Sequence, residues 1–325
     1  MRLLIERLAS LQFTLVAILL LGAGALWTAY DVIPSVWIVS VPLFLLTVNL
    51  VCASIVNPAF RASAPLFVFH LGLVAIVILA ALSRLTYLKG QVEVTEGVPF
   101  NYKNVGIESG PWHNNRLDKV HFTNDGFTTE YFSDMTVGKT RNRVSYPGVD
   151  GMRKSLVIGN QNPLVIEGYR FYTTNNRGFA PLFTWIPADG REPLTGAKHL
   201  PRYPGMKDKQ ATSWKVPELG LDAFLMLVIE KEFLVEGKDS YFKKPEKYHL
   251  LVKIGDDTMQ MRPGDRFKTE KGELVYRELR TWMGYSITGD WTMPWLVAAS
   301  VIITVGATWY FVDKFNASPW MKNSG

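Results

Sequence analysis

The chain has 325 residues, of which 48% are hydrophobic, and it carries a formal net charge of +6. The basic residues are spread without a long basic run, so the composition predicts no nucleic-acid site. Cys52 is the single cysteine, which excludes an internal disulfide. The sequence also lacks a glycine-rich phosphate loop, a nucleophile elbow and a His-Glu-x-x-His motif, and it therefore gives no support for a nucleotide-dependent or hydrolytic enzyme.

Four stretches of the chain contain no charged residue and are long enough to cross a membrane: residues 8–30, 32–60, 62–83 and 291–312. An α-helix rises about 1.5 Å per residue, so about 20 apolar residues span a hydrocarbon core of about 30 Å. The second stretch is longer than this, and we end it before Asn57-Pro58 because a residue that precedes proline disfavours the helical conformation. We predict transmembrane helices at about 8–30, 35–56, 63–84 and 291–313.

The first stretch follows two arginines and contains Ala23-Gly-Ala25, which resembles the cleavage site of a signal peptide. Two further apolar stretches follow almost at once, so an uncleaved membrane anchor is the preferred interpretation. Gly22 and Gly24 are small enough to let a neighbouring helix approach closely. Asn49 lies near mid-depth in the second predicted helix and is expected to bond to a neighbouring helix.

The third stretch carries one histidine, His70. An imidazole is costly to desolvate in a bilayer, so an intramembrane histidine usually faces a partner, a cavity or a cofactor. Six residues share its helical face and form a mostly apolar wall: Ser63, Leu66, Phe67, Leu73, Val74 and Val77. This combination suits a porphyrin, while the alternative is a histidine that only packs and hydrogen-bonds to a neighbouring helix.

The predicted spans also give the orientation of the chain in the membrane. Four spans place both termini on one side, together with these basic residues near the helix ends: Arg2, Arg7, Arg61, Lys314 and Lys322. The positive-inside rule then places the termini, including a short tail at 314–325, in the cytoplasm. Arg84 and Lys89 oppose this bias, but they adjoin residues 87–290, and a long domain is translocated largely regardless of charge. We expect that domain to face the periplasm of a Gram-negative cell.

Residues 87–290 show the pattern of an antiparallel β-rich domain. Residues 91–97 alternate polar and apolar side chains and end at a glycine, which indicates a strand and a turn. Further strands are expected, between turn motifs such as Asn-Asp-Gly, at 119–123, 129–132, 143–146, 155–158, 164–173, 181–186, 249–254 and 273–280. Residues 221–233 fit either a helix or a buried strand. The pattern predicts an antiparallel sandwich or open barrel between the third and fourth transmembrane helices.

Few residues outside the third stretch are candidates for metal or cofactor ligands. The histidines of the β-rich domain show no metal-ligand spacing and are expected to be surface or hydrogen-bonded polar residues: His113, His121, His199 and His249. Cys52 is most simply a small packing residue of the second helix. His70 is therefore the leading candidate site.

The order and spacing of several stretches resemble the ResB family, the smaller membrane subunit of the System II machinery of cytochrome c biogenesis. Leu8-Ala-Ser-Leu-Gln-Phe-Thr-Leu15 resembles the amino-terminal helix entry of that family, and Asn49-Leu-Val-Cys52 resembles the end of its second helix. Phe69-His70-Leu-Gly-Leu73 resembles its third helix. Residues 89–100 match its first exported strand and turn, and residues 131–134 and 162–172 resemble its central strands.

In that family, the histidine of the third helix is an axial ligand of haem within the membrane. It pairs with a histidine of a larger, ResC/CcsA-like haem-handling subunit, whose tryptophan-rich loop presents haem to apocytochrome c outside. The resemblance implies that His70 binds the iron of a transiently held haem b, and it implies no catalytic residue in this chain. The chain would be at most a non-catalytic subunit of a holocytochrome c synthase in the bacterial inner membrane.

This chain contains neither the tryptophan-rich motif nor a Cys-x-x-Cys-His, so it does not itself carry a covalently attached c-type haem and is expected to need its larger partner. Trp291 and Trp295 are then interfacial aromatic residues of the last helix. Two other functions stay open from the sequence. They are a structural or anchoring subunit of a membrane redox complex, and a membrane receptor with an exported β domain.

Overall fold

The computed structural model describes residues 2–30, 35–148, 151–205, 209–215 and 222–316. The chain divides into a helical unit and a β unit. The helical unit comprises Met1–Leu88, Glu108–Asn114 and Gly289–Gly325, and the β unit comprises Lys89–Ile107 and Asn115–Thr288. The domain limits that the sequence suggests, 87 and 290, stay a prediction.

The helical unit contains six helices among the described residues: α1 Arg2–Leu8, α2 Leu11–Tyr30, α3 Trp37–Val56, α4 Pro58–Ala62, α5 Ala64–Thr86 and α6 Met293–Asn316. Four of them, α2, α3, α5 and α6, are long and apolar enough to cross a membrane, which confirms the predicted number of candidate spans. As expected, α3 ends before Asn57, which is extended. α6 continues to Asn316, so it includes the first residues of the predicted tail, whose residues 317–325 lie outside the described part.

Asn49 of α3 bonds to neighbouring helices, as the sequence predicts, and it contacts both α1 and α2. Its amide Nδ2 donates to the carbonyl oxygens of Leu8 at 2.6 Å and Ser10 at 3.3 Å. Its Oδ1 accepts from the hydroxyl of Thr14 at 2.7 Å. Leu8 ends α1 and Leu11 begins α2, so the asparagine satisfies the Leu8 carbonyl at the break between the two helices, while the Ser10 carbonyl also accepts the backbone N–H of Thr14.

Glycines bring pairs of helices into close contact. A Cβ at Gly24 of α2 would lie 2.8 Å from the carbonyl oxygen of Ile38, which confirms the predicted close approach there, whereas Gly22 has nothing within 4 Å. α5 and α6 approach in the same way. A Cβ at Gly72 would lie 2.6 Å from Cγ1 of Ile303, and one at Gly306 would lie 2.6 Å from the backbone nitrogen of Phe69.

Among the described residues the chain has fifteen strands, which form the β unit except that a few end residues of β1, β2 and β15 belong to the helical unit. They are β1 Leu88–Thr95, β2 Gly106–Ser109, β3 Thr123–Tyr131, β4 Val137–Pro147, β5 Arg153–Ile158, β6 Leu164–Ile166, β7 Tyr169–Pro187, β8 Leu194–Ala197, β9 Ala211–Lys215, β10 Asp222–Ile229, β11 Ser240–Phe242, β12 Tyr248–Ile254, β13 Asp257–Met261, β14 Arg266–Thr269 and β15 Gly272–Gly289.

These strands form three sheets. The largest has seven strands in the order β2-β1-β15-β7-β6, with β14 beside β15 and β8 beside β7. Two four-stranded sheets have the orders β13-β12-β10-β9 and β11-β3-β4-β5. The long strands β7 and β15 pair antiparallel over nearly their whole length. The β-rich antiparallel character that the sequence predicts is therefore confirmed.

One continuous core lies where the sheets face each other. It includes Phe179 and Phe183 from β7, Leu225 and Leu227 from β10, and Val252 from β12, all almost inaccessible to solvent. Alternating residues of each strand point into it, which is the period-two pattern visible in the sequence. Burial of these aromatic and branched side chains provides most of the stabilisation of such packed antiparallel sheets.

Individual strands differ from the sequence-based expectation in three places. Residues 164–173 form two strands, because Glu167 and Gly168 both have positive φ and make a two-residue hairpin turn. The strand expected at 119–123 is wrong, since Leu117–Lys119 is a short 3₁₀ turn and β3 starts at Thr123. Of residues 221–233, Asp222–Ile229 form a strand with alternate residues buried, while Leu221 lies outside the described residues.

Candidate functional site

His70 lies on α5, six residues after the helix begins at Ala64. At about 1.5 Å per residue this places it about 9 Å along the helix axis, in the first half of the candidate span. The helix starts there because Ser63 is extended and Pro65 stands in the first turn, where its missing N–H is not needed. The His70 side chain is half-buried.

A hydrogen bond within the helix determines the tautomer of His70. Nδ1 of His70 lies 2.7 Å from the carbonyl oxygen of Leu66. A carbonyl oxygen only accepts, so Nδ1 carries the proton and donates it, and the lone pair of the neutral ring lies on Nε2. No described residue hydrogen-bonds to Nε2. An Nδ1–H bond to a backbone carbonyl is an arrangement that orients histidines that bind metals through Nε2.

Two phenylalanines fix the plane of the imidazole. The ring of Phe60 on α4 has its centroid 3.9 Å from that of His70 with the planes tilted by 32°. The ring of Phe69 meets the imidazole edge-on, with centroids 5.3 Å apart. α4 begins at Pro58, whose fixed φ suits the first position of a helix. The direction of Nε2 is therefore determined by α4 and α5 together.

An apolar surface lies beside His70 on α5. Phe67, Leu71 and Ile78 have 43%, 52% and 38% of their surface exposed, respectively. At 100° per residue, these three side chains fall within about 100° of His70 around the helix, whereas Gly72 lies on a different side and contacts α6. The α5 surface next to the Nε2 atom is thus apolar and open among the described residues.

A family model described as the ResB-like family matches residues 60–313, which is most of the chain. The chain belongs to the ResB-like family. This family is involved in cytochrome c biogenesis. Comparison with curated proteins gives no significant match. The match includes α5 with His70, the β unit and most of α6, whereas the resembling stretches at 8–15 and 49–52 lie outside it.

The ResB-like chain returns to its helical unit at Glu108–Asn114, a feature that the sequence did not suggest. The backbone N–H groups of Gly110 and Trp112 donate to the carbonyl oxygens of Tyr87 and Leu85 at 2.9 and 2.8 Å. The Tyr87 hydroxyl donates to Glu108 at 2.5 Å, and burial together with this hydrogen bond raises the pKa of Tyr87 to about 12. The segment therefore lies against the last turn of α5.

The same end of α5 is bonded to α6 and to the residues before it. The hydroxyl of Ser83 donates to Asp290 at 2.7 Å, and the indole of Trp291 donates to the hydroxyl of Thr86 at 2.9 Å. Trp291 and Trp295 are both exposed, at 53% and 60%. Exposed indoles at one end of two apolar helices are typical of a membrane–water interface.

The other histidines are mostly engaged by polar neighbours, as the sequence predicts. Nδ1 of His113 donates to the Thr86 carbonyl at 2.7 Å, and Nδ1 of His249 lies 3.1 Å from Glu230. His121 is exposed. Within the described ranges, no group of three or more His, Cys, Asp or Glu side chains is arranged to hold a metal ion. His199 belongs to a larger polar cluster in the β unit.

Proposed function

We propose that this ResB-like protein is a subunit of a System II cytochrome c biogenesis complex in the bacterial inner membrane. It helps to move haem across the membrane and to present it to apocytochrome c, together with a larger ResC/CcsA-like haem-handling subunit. The β unit faces the periplasm and the termini face the cytoplasm. Haem b is the cargo, held transiently through the iron by His70, and this chain contributes no catalytic residue.

The observation that carries this proposal is the hydrogen bond from Nδ1 of His70 to the Leu66 carbonyl. It supports Nε2 as the unprotonated nitrogen, and a neutral imidazole nitrogen is a good axial ligand for haem iron. Of the two ring nitrogens, Nδ1 is oriented by the backbone, while Nε2 has no hydrogen-bond partner among the described residues.

The surroundings of His70 also suit a porphyrin. Phe67, Leu71 and Ile78 offer an apolar surface on the same helix, and Phe60 keeps the imidazole from rotating. Bound haem supplies the porphyrin carbon atoms that become joined to the cysteine thiols of apocytochrome c. The second axial ligand comes from the partner, because this chain has no other histidine in a candidate span.

The test is to purify the His70→Ala protein with its partner subunit and to measure haem per complex and the haem absorption spectrum. Alanine is a good helix former and removes a costly polar group from the membrane, so the helices should still assemble. We expect haem content to fall, the spectrum to change, and added imidazole to restore ligation. His121→Ala, which alters an exposed histidine of the β unit, is the matched control. Full haem content and normal cytochrome c maturation with His70→Ala would refute the assignment.

A further inference from the structure

A cleft of about 600 Å³ opens on the surface of the β unit. Its polar lining comes from β1, from the short turn Tyr102–Asn104, from β7 and from the chain after β8, through Gln91, Glu93, Asn104, Thr174, Asn176 and His199. Its volume is in the range of small-ligand sites in proteins.

A bulge in β7 creates one wall of this cleft. The pairing of β7 with β15 shifts register between Met283 and Tyr285, so that residues 174–176 of β7 lie opposite Gly284 alone. A Cβ at Gly284 would lie 2.7 Å from Oγ1 of Thr174 and 2.9 Å from the carbonyl oxygen of Asn176. The glycine therefore permits the bulge, and bulges often re-aim side chains at functional sites.

A fixed polar network forms the centre of the cleft. Glu93 accepts hydrogen bonds from Nδ1 of His199 at 2.9 Å and from Nδ2 of Asn176 at 2.9 Å. The hydrogen bond from His199 is the main reason that the pKa of Glu93 is lowered. Nε2 of His199 lies 2.8 Å from the hydroxyl of Thr95, and its ring stacks on Trp282 with centroids 5.2 Å apart. The network is preorganised, and Glu93 contributes a carboxylate to it.

Beside this network, two side-chain amides are available to form hydrogen bonds with a ligand. Gln91 and Asn104 are exposed, and their amides make no hydrogen bond within the described part of the chain. Asn176 uses its Nδ2 for Glu93 and keeps its Oδ1 as an acceptor. Each amide side chain offers a donor and an acceptor, which is the same pair of groups that a peptide unit presents.

The lining argues against other kinds of ligand. Val92 and Tyr285 are almost fully buried, so the cleft has no open apolar floor for a porphyrin and no open ring face for a sugar. One face of the His199 ring is covered by Trp282. No lysine or arginine lines the cleft among the described residues, and the Glu93 carboxylate repels phosphate groups.

We propose that the cleft binds an extended, non-acidic polypeptide segment through the amides of Gln91, Asn104 and Asn176. An extended chain presents N–H and C=O groups at regular intervals, and the negative charge of Glu93 excludes acidic segments. The inference rests on the proposed function in one respect: the segment belongs to the apocytochrome c that receives haem, which must be unfolded around its cysteines.

The experiment uses the full-length protein purified with its partner subunit. The probe is a short fluorescent synthetic peptide with a Ser-x-x-Ser-His centre and neutral or basic flanks, in which serine replaces cysteine so that no thioether forms. Binding is measured by fluorescence anisotropy for the unsubstituted protein, for Gln91→Ala, for Asn104→Ala and for the double variant. Gln161→Ala, an exposed amide outside this cleft, is the matched control.

We expect each substitution in the cleft to weaken peptide binding by about three- to tenfold, because each removes hydrogen bonds to the peptide. Gln161→Ala should bind the peptide as the unsubstituted protein does. A peptide with acidic flanks should bind much more weakly. Haem per complex should be the same in all variants, because His70 is unchanged.

Equal peptide affinity of the double variant and the unsubstituted protein would overturn the proposal, as would absence of measurable binding by the unsubstituted protein. Equal binding of the acidic peptide, or displacement of the probe by an oligosaccharide, would also overturn it. If His70→Ala keeps full haem while the cleft variants lose peptide affinity, the haem role of His70 fails and the polypeptide site stands. The two proposals therefore fail separately.

Discussion

Replacing Tyr285 by phenylalanine should destabilise the β unit through a buried hydrogen-bond network. The Tyr285 hydroxyl donates to Oδ1 of Asn142 at 2.6 Å, and both side chains are almost inaccessible. Nδ2 of Asn142 donates to Oδ1 of Asn124 at 2.7 Å and to the carbonyl oxygen of Gly126 at 2.9 Å. Asn124 in turn donates to the carbonyl oxygen of Val94 at 2.9 Å, so the network links β15, β4, β3 and β1.

The size of the expected destabilisation follows from the hydrogen-bond acceptor that the substitution leaves without a donor. Phenylalanine keeps the ring contacts but removes the donor, so Oδ1 of Asn142 becomes a buried acceptor without a partner. Leaving such a group unsatisfied costs about 1–3 kcal/mol. Burial also raises the pKa of Tyr285, so the hydroxyl stays protonated and able to donate at neutral pH.

The assay is urea denaturation of a fragment spanning residues 87–289, whose circular dichroism should be dominated by strands and unchanged by reductant. Tyr285→Phe should lower the midpoint without changing the slope, which indicates a change in stability alone. Tyr241→Phe is the control, because Tyr241 is 58% exposed and its substitution should change stability by less than about 0.5 kcal/mol. In the double variant with Asn142→Ala, the two effects should not add, because the residues share one hydrogen bond.

The reasoning would be refuted by a Tyr285→Phe fragment as stable as the unsubstituted one. Strict additivity of Tyr285→Phe and Asn142→Ala would also refute it, since that result would mean that the two side chains do not interact. A changed slope of the denaturation curve would point instead to a change in the unfolded state.

Three further predictions follow from other parts of the chain. Gly72→Val should reduce the thermal stability of the detergent-purified protein by about 1–3 kcal/mol through overpacking, whereas Gly22→Val, with open space around it, should not. The pKa of Glu93 is lowered in the folded state, so its contribution to stability is present above the ordinary pKa near 4.5 and is lost as the pH falls through the folded value. Glu93→Gln should therefore make the free energy of unfolding depend less on pH in that range. An unchanged pH dependence would contradict this prediction. A reporter active only in the periplasm should work at Gly196 and fail at Gly325, and activity at both would contradict the proposed orientation.

The four candidate membrane spans could be predicted from the sequence because length and hydropathy alone decide whether a helix can span a bilayer. The bonding of Asn49 was also predictable, since a polar group at that depth needs a partner. The hairpin at Glu167-Gly168 was missed because glutamate rarely adopts positive φ and gives no turn signal there. For residues 222–229 the sequence did not decide between helix and strand, and pairing with β12, distant in sequence, decides it.

The candidate sites were predictable to different degrees. The hydrogen bond from His70 to Leu66 joins residues four apart, so it follows from the helix itself. The contact of His70 with Phe60 depends on how α4 packs on α5, and the periodicity of the sequence does not predict that packing. Glu93 and His199 are over one hundred residues apart and meet only through the fold of the β unit. Sequence patterns show local periodicity, which does not predict contacts between residues that are far apart in the chain.

The close packing of α5 against α6 has a consequence for how the protein is made. Residues Phe69 and Gly72 of α5 contact Gly306 and Ile303 of α6, and roughly 200 residues separate the two helices. At about 5–20 residues per second, α6 leaves the ribosome about 10–40 s after α5. During that interval the surface of α5 around Phe69 and Gly72 is not covered by α6, so lipid or another protein occupies it. That occupant must leave before α6 can bind.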